Sequence, residues 1–283
     1  MITLTTKQKL FIARSIQTIV MGIRGIFKAG EKTIAKRNKI TWQLDLREGI
    51  DFSIWLLGAF EVKTQKQYLG LLKPGNIVID VGANIGAHTL PLAAAVGSSG
   101  RIIAIEPTDY AFAKLTANSA LNQELQARIL AIQAMLTDQV SGLAAPEIYS
   151  SWPLKNEGDI HPLHGGSLKT CKGAKVTTLD AVVREINLEH IEIMKIDIDG
   201  YECAMLRGAR ETLQRYRPVI VMELAPYVLE EHGGSVDEIV DILKSLNYSI
   251  KDADTDVLLP LDGSELRDLI PFGAGRNIIA IPG

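Results

Sequence analysis

From residue 76 onward, short apolar runs alternate with segments of helical spacing. "NIVIDVG" (76–82), "RIIAIEP" (101–107), "ARILAIQAML" (127–136), "IEIMKID" (191–197), "PVIVMEL" (218–224) and "NIIAIP" (277–282) read as strands. Between them, "AHTLPLAAAVG", "DYAFAKLTANSALN", "TTLDAVVREIN", "AMLRGARETLQRY" and "SVDEIVDILKSLN" read as helices. Unbroken apolar strands alternating with helices predict an α/β fold built on a doubly wound, mainly parallel sheet. "IEIMKID" should be a central strand with both faces covered. Residues 139–175 break the rhythm with a loop rich in Gly, Pro, Ser and His, and loops of that length are usually functional or disordered. His161 and His164 lie within it.

Upstream, "WQLDL" alternates as a short strand, "IDFSIWLLGAF" is an apolar helix or strand, and "TQKQYLGLLKPG" is a helix stopped by Pro74 and Gly75. Before these, Ile12, Ile16, Ile19, Ile23 and Ile26 recur at steps of four and three, one face of a helix widened by Val20 and Phe27. Arg14, Arg24 and Lys28 fall on the other side. Charges interrupt this segment well short of the ~20 apolar residues of a membrane span. No clean apolar core and small-residue cleavage site mark it as a secretory signal.

Charge sharpens that picture. The 283-residue chain has a formal net charge of −3. Residues 1–40 nevertheless hold nine Lys or Arg against one acid, Glu31. We therefore divide the chain into a basic amphipathic helical extension, 1–40, and a main domain, 41–283. The helix over residues 8–28 fits three partners: the body of the protein, a second copy of the chain, or an anionic membrane surface. No nucleic-acid-binding motif accompanies it, so no nucleic-acid partner is expected. The two cysteines, Cys171 and Cys203, form no close motif, which points to a reducing, cytoplasmic setting, with the inner face of a membrane as the surface for the helix. No metal site is expected, because no Cys/His cluster appears.

The chemistry-bearing turn is "VIDVGANIGAHT", which follows a strand and opens a helix. A dinucleotide fingerprint needs a middle glycine for the pyrophosphate to approach. Here Asn84 stands between Gly82 and Gly86, and Asp80 precedes the turn, giving a DxGxxxG pattern. Glu106 ends the next strand twenty residues beyond Gly86, where a carboxylate can accept hydrogen bonds from ribose hydroxyls. A second cluster, "MKIDIDGYE" (194–202), places Asp197, Asp199 and Glu202 at the end of an apolar strand. Strand side chains alternate, so Lys195 shares a face with Asp197, and a buried lysine there needs a carboxylate partner. Glu202 opens the following helix, where its charge also suits the N-terminus.

Together "GAFE" (58–61), "KPGNIVIDVGANIGAHT" (73–89), "AIEP" (104–107), "TTLDAVV" (177–183) and "MKIDIDGYECAMLRGA" (194–209) resemble the FkbM-type methyltransferases. The resemblance implies the class I, Rossmann-like methyltransferase fold, S-adenosyl-L-methionine as methyl donor, and O-methylation of a hydroxyl on a sugar, polyketide or related metabolite, so a small-molecule or glycan acceptor. It implies a cofactor site of Asp80, Gly82, Ala83, Asn84, Gly86, Glu106 and Pro107, with Ala134 and Met135 near the adenine. The family commonly has Glu where this chain has Asp199, a carboxylate shortened by one methylene. Asp197 and Asp199 are the candidate catalytic carboxylates, as base or acceptor-orienting groups. Glu61, His88, Glu202 and Glu223 are candidates on the substrate side, although Glu61 also fits a surface ion pair and His88 a helix start. Two other readings stay open. One is a nicotinamide-dependent oxidoreductase, against which the missing middle glycine speaks. The other is a non-catalytic, membrane-peripheral protein that keeps the fold.

Overall fold

A computed structural model describes residues 5–154, 159–163 and 165–283; His164 lies outside them. Helix α1 (Thr6–Ile26) opens on a capping box in which Thr5 and Gln8 each bond the other's backbone. Strands β1 (Lys32–Arg37) and β2 (Ile40–Asp45) form an antiparallel hairpin. Helix α2 (Gly49–Leu57) ends at Gly58, and α3 (Val62–Leu69) leads to β3 (Ile77–Val81). Then come α4 (Thr89–Ala95), β4 (Arg101–Ile105), α5 (Asp109–Ala120), α6 (Gln123–Gln126) and β5 (Ile129–Ile132). Four short strands follow: β6 (Ala134–Leu136), β7 (Ile148–Ser150), β8 (Ser167–Lys169) and β9 (Lys175–Thr177). The chain continues through α7 (Leu179–Ile186), β10 (Ile193–Ile196), α8 (Glu202–Arg207), α9 (Arg210–Tyr216) and β11 (Val219–Leu224). It closes with α10 (Pro226–Glu231), α11 (Val236–Ser245), β12 (Tyr248–Asp252), α12 (Gly263–Asp268) and β13 (Arg276–Pro282).

Seven strands form the main sheet in the order β12-β13-β11-β10-β3-β4-β5. Only β13 runs against its neighbours. As expected, β10 is central and fully buried. Alternate residues of each strand serve opposite faces. Ile79, Ile103, Met194 and Met222 pack with α7, α8 and α11, whereas Val78, Ile102, Ile193 and Val221 pack with Tyr68 of α3 and Leu92 of α4. After β3 the chain winds outward to β4 and β5, and from β10 it winds the other way to β11. The strand order therefore reverses between β3 and β10, the place where open α/β sheets bind ligands at their carboxyl ends.

Four expectations change. The single third strand splits at Gln133: β5 stays in the main sheet, while β6 leaves it and pairs in parallel with β9. Gln133 bonds the Asp109 carboxylate instead, and its carbonyl accepts from Lys175 N. The helix expected over 204–216 is two helices, because Asp180 of α7 accepts bonds from the Glu211 and Thr212 amides and so starts α9 afresh. The loop over 139–175 contains the β7–β8 hairpin. The helical extension ends at Ile26, and the hairpin pairing Lys32–Arg37 with Ile40–Asp45 straddles residue 40.

Helix α1 docks on the body by its more polar face. Leu10, Ala13, Val20 and Met21 pack against the cluster around Trp42, Leu44 and Leu46. Buried Gln17 donates to the Leu46 carbonyl at 3.2 Å. The isoleucine stripe points outward instead, with Ile19 65% and Ile26 78% exposed. Among the described residues no helix is long and apolar enough to cross a membrane.

Candidate active site

The carboxyl ends of β3, β4 and β10 surround a cleft walled by Val81–Asn84, Ile105–Pro107 and Ala134–Leu136, with Lys195, Asp197 and Asp199 on its other side. Gly82 has φ +79°, and a Cβ there would lie 1.8 Å from the Asp197 carbonyl oxygen. Only glycine lets β10 end this close to the turn. Asn84 also takes left-handed backbone, and its side chain accepts from Ile85 N at 2.9 Å. Gly86, φ +91°, does not line the cleft; it faces Leu115 and turns the chain into α4.

Glu106 is buried at the end of β4. Its Oε2 accepts from Asn84 N and its Oε1 from Thr108 N, both at 2.9 Å. Burial raises its carboxyl above the usual range, and the bonds from Thr108 and Asn84 pull it back. Thr108 Oγ1 also donates to Oε1, at 2.5 Å. One carboxylate thus fixes the glycine turn to the second strand, while Oε2 keeps capacity for a further donor.

Lys195 meets the need that strand alternation implied. Its Nζ lies 3.0 Å from Asp197 Oδ2 and 4.0 Å from Asp80 Oδ1. Burial disfavours the charged amine, but Asp197 and Asp80 outweigh it and raise its pKa, so the ammonium persists. Asp80 pairs with Lys195 in the β3–β10 register and accepts from Thr89 Oγ1 at 2.6 Å. His88 stands at the start of α4 without capping it. Its Nδ1 makes a short hydrogen bond with Tyr68 Oη, and its Nε2 lies 3.6 Å from Glu61 Oε2. Burial, and then the Lys195 charge, hold its pKa well below the usual value, so the imidazole is neutral.

The remaining carboxylates line a second cavity, of about 450 Å³, on the far side of Asp197 and Asp199. Glu61 accepts from Asn277 Nδ2 at 2.9 Å, tying the start of α3 to β13. Glu202, at the first turn of α8, accepts from Ile198 N at 3.1 Å, so it secures the loop between β10 and α8. Burial pushes Glu202 up to about 7. Burial and the neighbouring Asp197 push Glu223 up to about 8 and raise Asp199 well above the ordinary carboxyl range. Asp199 holds left-handed backbone, φ +50°. Asp197 and Asp199 line both cavities, as do Phe60 and Trp152. The two rings stack with centroids 6.5 Å apart.

The structure thus brings Asp80, Gly82–Asn84, Glu106, Pro107, Ala134, Met135, His88, Asp197 and Asp199 to one cleft or its floor. Glu61, Glu202 and Glu223 gather in the adjoining cavity. Sequence reasoning missed Phe60 and Trp152 as wall residues and Tyr68 as the buried partner of His88. A lone tryptophan in the otherwise polar "YSSWPLK" was the available signal for Trp152.

A seven-stranded sheet with a single reversed strand, a DxGxxxG turn and an acid closing the next strand define the class I S-adenosylmethionine-dependent methyltransferases. The Methyltransferase FkbM domain matches residues 80–250, more than half of the chain, and the chain belongs to that family. Among solved structures, methyltransferase FkbM from Methylobacillus flagellatus is similar at 16% identity and TM-score 0.44, over 77% of this chain and 47% of that one. A SAM-dependent O-methyltransferase from Thermotoga maritima is similar at 15% identity and TM-score 0.43, over 92% and 81%. M. jannaschii TYW2 in complex with AdoMet is similar at 14% identity and TM-score 0.42, over 88% and 84%. No curated protein matches the chain in sequence.

The chain is an S-adenosylmethionine-dependent methyltransferase. The donor set fits that cofactor: the Glu106 carboxylate suits ribose hydroxyls, and the apolar Ile105, Ala134 and Met135 wall suits the adenine. Carboxylates beside the glycine turn suit an ammonium group. Asp80 Oδ1 is buried there without a hydrogen-bond partner.

Proposed function

We propose that the protein methylates a hydroxyl oxygen of a small-molecule or glycan acceptor. The observation that carries this reading is the position of Asp197 and Asp199, shared between the cofactor cleft and a second cavity. An acceptor in that cavity meets the cofactor cleft at a junction formed by these two carboxylates with Ile50, Phe60 and Trp152. S-adenosylmethionine, when bound, supplies an electrophilic methyl group on a sulfonium. The chain supplies alignment and a route for the proton. Lys195 holds Asp197 Oδ2, leaving Oδ1 to accept the hydroxyl proton as the oxygen takes the methyl group. Asp199, its carboxyl raised well above the ordinary range by burial and the neighbouring Asp197, orients the acceptor. Phe60 and Trp152 narrow the junction and keep water out.

The test uses purified protein, labelled S-adenosylmethionine and a cell extract, followed by identification of the labelled product. Asp197→Asn is expected to lower turnover ~10²–10⁴-fold while S-adenosylhomocysteine still binds. Full turnover in both Asp197→Asn and Asp199→Asn would make the cluster structural. Label on nitrogen or carbon rather than oxygen would overturn the hydroxyl assignment. Glu106→Ala should weaken S-adenosylhomocysteine binding by ~1.5–3 kcal/mol for each charge-assisted bond lost, read by calorimetry.

A further inference from the structure

The second cavity changes character along its length. At its inner end stand Asp197, Asp199, Glu202 and Glu223. Toward the outside it becomes a groove between α1 and α2, walled by Ile12, Ile16, Phe52, Leu56 and Leu57. Besides the carboxylates, the charged and hydroxyl-bearing side chains on its described wall are Lys9, whose charge acts on Glu61 and Glu223, with Ser53 and Tyr227, and the Ser53 hydroxyl already bonds the Ala59 carbonyl. Sugars are recognised through hydroxyl partners, and such a wall offers few. It offers exposed hydrocarbon instead. Ile12 is 46% exposed and Leu57 65%, surface that gains free energy when covered.

We propose that the acceptor carries an apolar chain, which lies in the groove between α1 and α2 while its hydroxyl end meets Asp197 and Asp199. The inference rests on the hydroxyl-methylation reading and narrows its substrate class to an amphipathic alcohol. Three features select this occupant. The groove is continuous with the carboxylate end, so what fills one reaches the other. Its polarity runs in one direction, charged inside and hydrocarbon outside. Its volume of about 450 Å³ is that of a small-molecule site. The isoleucine stripe of α1 then has an assignment: Ile12 and Ile16 form a wall of the groove, and Ile19, Ile23 and Ile26 extend the same face outward.

Straight-chain primary alcohols from 1-butanol to 1-decanol are suitable probes, titrated by calorimetry into the full chain saturated with S-adenosylhomocysteine. Affinity is expected to rise ~4-fold per methylene, the equivalent of ~0.8 kcal/mol, until the groove is filled. In the double variant Ile12→Asp, Leu57→Asp, at two rim positions, the dependence on chain length should flatten while S-adenosylhomocysteine affinity holds. Equal affinity for butanol and decanol would overturn the proposal, as would an unchanged slope in the variant. A wild-type dimer split by the same substitutions would assign the groove to a second copy. Flotation with phosphatidylserine vesicles and no alkanol binding would assign the face to a bilayer; either result overturns the proposal. Failure of the underlying reading looks different: alkanols bind with the expected slope, yet the label from S-adenosylmethionine enters no hydroxyl.

Discussion

Lys195 is the hinge of the site's electrostatics. It is an ammonium on a buried strand, set between a fully buried carboxylate, Asp80, and one that opens to the cleft, Asp197. Lys195→Met should cost ~3–5 kcal/mol in urea unfolding, because Asp80 is left as an uncompensated buried charge. Adding Asp80→Asn should recover most of that loss; a double variant as unstable as the sum of the two would show that the residues act independently. Gly82→Ala is expected to be worse than a left-handed backbone penalty of ~1–3 kcal/mol, since its Cβ collides with the Asp197 carbonyl as well. Strand alternation was enough to place Lys195 beside Asp197 and to require a counter-charge. It did not reveal Asp80 as the second partner, because that pairing comes from the register of β3 against β10, which no local pattern encodes. The Tyr68–His88–Glu61 chain was hidden for the same reason.

Elements were legible where burial gave them a period. The six apolar runs all contain strands, and β10 is central as its two-sided burial required. Strand β1 escaped because it alternates only between exposed and half-buried positions, so it carries no apolar rhythm, whereas the short β12 was missed although Tyr248, Ile250 and Asp252 are buried on one face. Helix breaks set from another element also escaped. Asp180 helps divide α8 from α9 by taking the Glu211 and Thr212 amides and the Thr212 hydroxyl, and within residues 204–216 only Gly208, the C-cap of α8, marks that stop. Asp180→Ala should therefore lower stability by about 1–2 kcal/mol, the size of a lost N-cap, seen as a lower melting temperature. Helix α1 offers the opposite lesson. Its periodicity identified the right helix and the isoleucine stripe, but the stripe faces outward: the hairpin below takes Leu10, Ala13, Met21 and Gln17, and with them Val20, which the sequence pattern groups with the isoleucines.

Across the whole molecule, the concentration of carboxylates at one sheet edge links stability to pH. Glu202 and Glu223 are raised from an ordinary 4.5 to about 7 and about 8. The folded state therefore holds protons that the unfolded chain releases. That contribution is complete below the unfolded value and is lost as pH rises through the folded values. The melting temperature is expected to fall between about pH 5 and about pH 9, and Glu223→Gln should flatten the upper part of that fall. A wild-type profile that rises over this range would contradict the placement of these groups. The same scale shows how firmly the N-terminal hairpin belongs to the domain. One edge of β2 pairs with β1, and the other is closed by α5 and the turn into α6: Thr41 N donates to Asn122 Oδ1 at 2.9 Å and Gln43 N to Asn118 Oδ1 at 2.8 Å. Anyone shortening the protein for production should cut with that in mind. Removing residues 1–40 would strip one edge of β2 bare, and a bare strand edge recruits other chains, so the shortened protein should precipitate. A cut between Phe27 and Lys32 leaves the hairpin whole and keeps the cofactor cleft, but it takes away the wall that α1 contributes to the groove and uncovers the cluster around Trp42, Leu44 and Leu46.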